Sequence, residues 1–211
     1  MNLVFDFGAV LFQWKPAELV QQCFGAQVST PDMAKELAHS VFGHADWHAF
    51  DRGVLDMDEV IARTSVRLGL DCADLSSLLE RIGTHLAPVE ATGDLLREIH
   101  THRQQHEDYR LYFLSNMPAP YARQLESLHD FLAWFDGGVF SGDVHWIKPQ
   151  PEIYQLLQQR YALDPSKTVF IDDMPGNVAA AQAQGWQGIH FQSPSQLRQE
   201  LMVRAIYQIR P

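Results

Sequence analysis

Six polar residues stand where apolar runs of the chain end, and their types are those of a reaction centre. Asp6 follows Asn2-Leu3-Val4-Phe5, Ser115 and Asn116 follow the run 110–114, and Asp172 and Asp173 follow Thr168-Val169-Phe170-Ile171. Lys148 lies in the turn-like segment Trp146-Ile147-Lys148-Pro149. A carboxylate at the end of a buried strand can serve as a nucleophile. Two adjacent acids raise each other's pKa unless a cation intervenes, and oxygen ligands of this kind suit Mg²⁺. A lysine supplies a point charge for a phosphoryl group, and Ser and Asn supply hydrogen bonds. Together they are the parts of phosphoryl transfer, in which positioning and charge stabilisation do most of the work. Taken singly, each residue has a plainer reading. Asp6, Ser115 and Asn116 suit turns, Lys148 suits a solvated surface, and Asn177 suits a helix cap as well as it suits orienting the Asp172–Asp173 pair.

The elements around these residues follow from periodicity. The runs at 2–5, 110–116 and 168–173 are short and apolar, as buried strands are. Residues 137–140 and 187–191 read as further short strands, with helices at 88–102, 120–133, 151–163 and 177–185 between or after them. Strands alternating with helices imply an α/β fold with a parallel sheet, and such sheets bind ligands at the carboxyl ends of their strands. Between 15 and 86 the pattern is helical instead. Pro16, Thr30-Pro31, Asp56 and Asp71 or Asp74 offer helix starts, and Gly69 offers a stop. This gives a core of residues 1–14 and 87–211, with a helical insert over 15–86. Residues 10–14 are expected to return as a short hairpin or flap, and 193–211 as a terminal helix.

The chain has 211 residues, 46% of them apolar, and a formal net charge of -10, so it can bury a core of its own. That acidic balance speaks against a nucleic-acid partner, because such affinity rests on Lys and Arg. No apolar stretch is long enough to span a bilayer, and the N-terminal run lacks the basic region of a signal peptide. The expectation is a cytoplasmic protein without a membrane partner; its oligomeric state is left open. Cys23 and Cys72 lack metal-site spacing and read as buried or half-buried free thiols.

With these residues in order, the chain resembles the haloacid dehalogenase (HAD) superfamily. The segment Val4-Phe5-Asp6-Phe7-Gly8-Ala9-Val10-Leu11 is similar to its first motif, 113–116 to the second, Lys148-Pro149 to the third, and 170–177 to the fourth. The insert sits where the C1-type cap of subclass IA sits, and the fold implied is a HAD-like Rossmannoid core with that cap. With Trp47-His48-Ala49-Phe50-Asp51-Arg52-Gly53, the set is most similar to the subgroup containing α-D-glucose-1-phosphate phosphatase.

The resemblance implies a Mg²⁺-dependent phosphatase acting on a small phosphorylated metabolite, a sugar phosphate among the candidates. Asp6 would be the nucleophile that forms an aspartyl-phosphate, and Lys148 would neutralise the transferred group. Asp6, the Gly8 carbonyl and Asp173 would hold the metal, with Asp172 an outer or alternative ligand. Ser115, Asn116, Lys148 and Arg52 would contact substrate. Gly8 departs from the pattern, since a second Asp normally stands there as general acid and base. His48 and Asp51 are candidates for the missing role, though both read more simply as surface polar residues; Trp14, Trp47 and Phe50 read as core.

Three other readings compete. A metal-free 2-haloacid dehalogenase would have no use for the acidic pair, and a catalytically weak binding protein would explain Gly8. A phosphonoacetaldehyde hydrolase would need a Schiff-base lysine from the insert, for which Lys35 carries no mark of burial.

Overall fold

The run Asn2–Phe5 forms β1, the central strand of a five-stranded sheet. The computed structural model describes residues 1–106 and 109–204. β1 lies between β2 (Arg110–Ser115) and β4 (Thr168–Asp172); β3 (Gly137–Phe140) flanks β2, and β5 (Gln187–His190) flanks β4. Every pairing is parallel. Parallel sheets are covered on both faces, which is why β4 is buried at every residue and why no polar alternation marks it in the sequence. Side chains still alternate between faces. Leu3, Phe5, Val169 and Ile171 join one apolar cluster, while Val4, Phe170, Tyr112 and Leu114 join a second with Tyr154, Leu157 and Trp186. Burying each such side chain contributes roughly 1.5–3 kcal/mol.

Between β1 and β2 the chain forms α1 (Pro16–Phe24), α2 (Pro31–Phe42), α3 (Ala45–Asp51), α4 (Met57–Leu68), α5 (Cys72–His85) and α6 (Glu90–His106). Local signals set these ends. The Thr30 hydroxyl accepts the Met33 N–H ahead of Pro31, and Asp56 and Glu59 form a reciprocal capping box. Gly69 closes α4 in the left-handed conformation, and Asp71, not Asp74, caps α5. Leu75, Leu78, Leu79 and Ile82 make the buried stripe of α5. They share one cluster with Leu3 and Phe5, so the insert and one face of the sheet bury a common core. The Tyr121 hydroxyl, on α7 (Ala119–Leu128), donates to the Leu79 carbonyl at 2.9 Å and ties α5 to the strand side. α8 (Pro151–Arg160), α9 (Pro175–Ala183) and α10 (Pro194–Val203) complete the layers.

Several expectations need correction. Residues 10–14 form no hairpin. The N–H groups of Val10, Leu11 and Phe12 all donate to the Phe7 carbonyl, so the segment is a tight turn whose apolar side chains are buried. The helix expected over 120–133 ends at Leu128 and passes into a 3₁₀ turn, Asp130–Trp134. Helix α3 was not anticipated as an element. Cys23 is half-buried, but Cys72 is exposed in the first turn of α5. The terminal helix ends at Val203, and the rest of the tail, 205–211, lies outside the described residues.

Candidate active site

The parallel register brings the ends of β2, β1 and β4 to one edge, since Phe5 pairs with both Phe113 and Ile171. Asp6 continues β1 by one residue, its N–H donating to the Ile171 carbonyl at 2.9 Å. Asp172 ends β4 beside it and is fully buried. Lys148 arrives from the segment after β3, and Asn116 fixes it there. The Lys148 N–H donates to Asn116 Oδ1 at 2.7 Å, and Asn116 Nδ2 donates to the Lys148 carbonyl at 3.0 Å. The ammonium lies between two carboxylates, 2.8 Å from Asp6 Oδ1 and 2.6 Å from Asp172 Oδ2. Asp172 also accepts the Met174 N–H and both Asn177 Nδ2 contacts, at 3.0 and 3.1 Å. Met174 is the N-cap of α9, so Asn177 is not capping that helix; it orients Asp172. Asp6 accepts the Phe7 N–H on Oδ1, the same oxygen that meets Lys148.

One ammonium does not balance this cluster. Asp6, Asp172 and Asp173 each bring a carboxylate oxygen within 4.8 Å of the others. Burial, with help from the Asp172 and Asp173 charges, pushes the Asp6 carboxyl up to about 8 against the opposing pull of Lys148. Burial alone would lower the Lys148 pKa, but the Asp6 and Asp172 carboxylates outweigh it and hold the ammonium above its usual range. Asp173 is half-buried, and burial and the Asp172 charge raise it too. Converging hard oxygen donors with surplus negative charge fit a divalent cation such as Mg²⁺. Bound there, it would return Asp6 to the carboxylate form that a nucleophile needs.

These residues open into a cavity of about 480 Å³ between the strand ends and the insert. Asp6, Gly8, Asn116, Lys148 and Asp173 line it on one side; Trp14, Phe42, Trp47, Ile82, Leu86 and Tyr121 make an apolar wall on the other. Trp14 packs edge-on against Phe42, and Phe42 against Trp47. Phe50 is core as expected, whereas Trp14 and the mostly buried Trp47 also face the cavity. His48 and Asp51 line it as well, and Asp51 is only 8% exposed, which overturns its reading as a surface residue. Burial, foremost, and the positive charge of Arg52 lower the His48 pKa. Ser115, although buried, and Arg52, at the end of α3, are not among the lining residues. No sequence signal marks the apolar wall, because its members look like any core-facing positions of amphipathic helices.

The fold and this edge define a class. A family model of haloacid dehalogenase-like hydrolases matches residues 56–185, more than half of the chain, and the chain belongs to that family. The match does not extend to Asp6, so the strand-end geometry carries that residue. The chain is 29% identical over 188 residues to the sesquiterpene phosphatase astK of Aspergillus oryzae, covering 89% of this chain and 88% of the other. It shares its fold with a HAD family enzyme from Bacteroides thetaiotaomicron solved in complex with magnesium and inorganic phosphate, at 19% identity, TM-score 0.69, and 93% and 98% coverage. The L-2-haloacid dehalogenase of Xanthobacter autotrophicus shares the fold too, at 19% identity, TM-score 0.65, and 99% and 84% coverage. The protein is thus a haloacid dehalogenase-like hydrolase of the α/β class, with a Rossmannoid parallel sheet. No helix among the described residues is long and apolar enough to cross a membrane.

Proposed function

We propose that the protein is a Mg²⁺-dependent phosphatase of small phosphate monoesters, with residues 15–86 acting as its cap and the cytoplasm as its compartment. The observation that carries this reading is the Lys148 ammonium held between Asp6 and Asp172, with Asp173 completing the carboxylate set. Asp6 attacks phosphorus, and the aspartyl-phosphate that forms is then hydrolysed. Lys148 neutralises the phosphoryl oxygens, and Asn116 holds Lys148 in place. Asp6, the Gly8 carbonyl and Asp173 would hold Mg²⁺, while Asp172, already committed to Lys148 and Asn177, sits outside them. The bound metal would offset charge on Asp6 and on the phosphoryl group. Ser115 and Arg52, outside the cavity lining, enter this reading as contacts to the phosphoryl oxygens and to the organic group.

The apolar wall bears on the substrate. A sugar phosphate presents hydroxyls that need partners, and a buried hydroxyl left without one costs roughly 1–3 kcal/mol. On the insert side the polar lining side chains are His48 and Asp51. An ester with an apolar organic group fits this wall better than a sugar does, and the phosphatase-named relative acts, by its name, on sesquiterpenes. A metal-free dehalogenase is disfavoured, because it would leave the Asp6–Asp172–Asp173 charge uncompensated. Hydrolysis of para-nitrophenyl phosphate, with Mg²⁺ and with EDTA, tests the reading against Asp6→Asn. Metal-dependent turnover abolished in the variant is expected. Turnover that survives in Asp6→Asn, or chloride release from a 2-haloacid in EDTA, would overturn it.

A further inference from the structure

We infer that Asp51 carries the proton that Gly8 cannot, protonating the leaving oxygen and then activating water. This rests on the phosphatase reading. Gly8 lines the cavity two residues after Asp6 and has no side chain. Crowding does not force the glycine, because a Cβ there would meet only Trp14 Cβ, at 3.9 Å. Asp51 lines the same cavity from α3.

The backbone around Asp51 is fastened to the strand side. Ser141 Oγ donates to the Asp51 carbonyl at 2.5 Å and accepts the Met117 N–H at 2.8 Å. His145 Nδ1 meets the Arg52 carbonyl at 2.8 Å. Gly53, at φ +66°, approaches so closely that a Cβ would lie 2.4 Å from the Gly142 carbonyl oxygen. Three successive residues are therefore seated on the turn after β3.

The side chain itself is uncommitted. Among the described residues the Asp51 carboxyl makes no hydrogen bond and no ion pair. A buried carboxyl kept only for structure would be paired. The charged and titratable groups around it are Lys148, Arg52, Tyr121 and His48. Burial outweighs the attraction of Lys148 and Arg52 and raises its pKa to about 7, where a carboxyl can both give and take a proton near neutrality. His48 is the poorer donor, since burial and the Arg52 charge disfavour its protonated ring.

The steps balance. An Asp6 oxygen bonds to phosphorus as the bond from phosphorus to the leaving oxygen breaks, and that oxygen takes the Asp51 proton. The Asp51 carboxylate then takes a proton from water, whose oxygen attacks phosphorus. The bond to Asp6 breaks, inorganic phosphate leaves, and Asp51 is again protonated.

The test compares kcat/KM, which reports transfer to Asp6, across a series from para-nitrophenyl phosphate to aliphatic monoesters. A nitrophenolate leaves without a proton, whereas an aliphatic alkoxide does not. Asp51→Asn should lose about 10²–10⁴-fold on aliphatic esters and far less on the nitrophenyl ester. The wild-type decline of kcat/KM for aliphatic esters above about pH 7 should vanish in the variant. Equal losses across the series, or none, would overturn the inference. Should the variant not fold, the wild-type series decides alone. A shallow dependence on the leaving group supports a proton donor, and a steep one refutes it. Absence of any wild-type turnover on the nitrophenyl ester would instead sink the phosphatase reading.

Discussion

Replacing Asp51 by Asn should stabilise the protein, by an amount that grows with pH. The buried carboxyl is pushed from 3.8 to about 7, so the native state keeps its proton where the unfolded chain has lost it. A carboxyl raised in this direction contributes its full stability below the unfolded value and loses it as pH rises through the native one. At about 1.4 kcal/mol per unit, the loss is roughly 1.5–2 kcal/mol near pH 5 and roughly 4 kcal/mol near pH 8. Asn fills a similar shape and never ionises. The difference between variant and wild type should therefore widen by about 2–3 kcal/mol between pH 5 and pH 8, and flatten beyond. Urea unfolding in EDTA across that range measures it, with the slope of each curve checked for constancy. A difference that stays flat with pH would mean that the Asp51 carboxyl is hydrated or paired in solution, and the account of it as a buried, uncommitted acid would fall.

Three other perturbations have expected outcomes. Lys148→Met leaves Asp6 and Asp172 facing each other unpaired; it should abolish turnover and cost about 3–5 kcal/mol in the metal-free protein, measured by chemical unfolding, with part of the loss recovered in Mg²⁺. Saturating Mg²⁺, at about a hundredfold over its Kd, should stabilise wild type by about 2.7 kcal/mol in a thermal melt; Asp173→Asn should lose most of that shift while melting normally in EDTA. Trp47→Ala opens the apolar wall, and should raise KM for an apolar ester by roughly tenfold or more, about the value of a few buried methylenes, while altering the inhibition constant of inorganic phosphate little.

How much could be read from the chain depended on whether the cause was local. β1 and β4 are buried on both faces, so they show as unbroken apolar runs, and the acids that end them show as interruptions. Helix starts were legible where a Thr or Asp side chain caps its own helix, as Thr30, Asp56 and Asp71 do, whereas the His44 cap of α3 left no such mark. The turn at Phe7–Phe12 was not, because its apolar residues look like a strand until one carbonyl is seen to accept three N–H groups. Asp51 was misread for a similar reason. Beside Arg52 it has the look of a surface charge pair, and it is buried because Ser141, distant in sequence, seats its backbone on the turn after β3. The roles of Asn116 and Asn177 likewise became visible only through partners, Lys148 for one and Asp172 for the other.

Moving the proton carrier from the β1 turn to α3 changes what controls the chemistry. An acid two residues after Asp6 would be in place whether or not substrate filled the cavity. Asp51 instead belongs to the same short helix as Trp47, so proton donor and apolar wall come as one unit. An ester that seats its organic group against Trp47 thereby brings its leaving oxygen toward the acid, whereas free phosphate, with no organic group, gains no such placement. Buried and unpaired, that carboxyl costs the fold several kcal/mol at neutral pH. The hydrogen bonds from Ser141 and His145 to the Asp51 and Arg52 carbonyls, with the close packing of Gly53 on Gly142, hold it there against that cost.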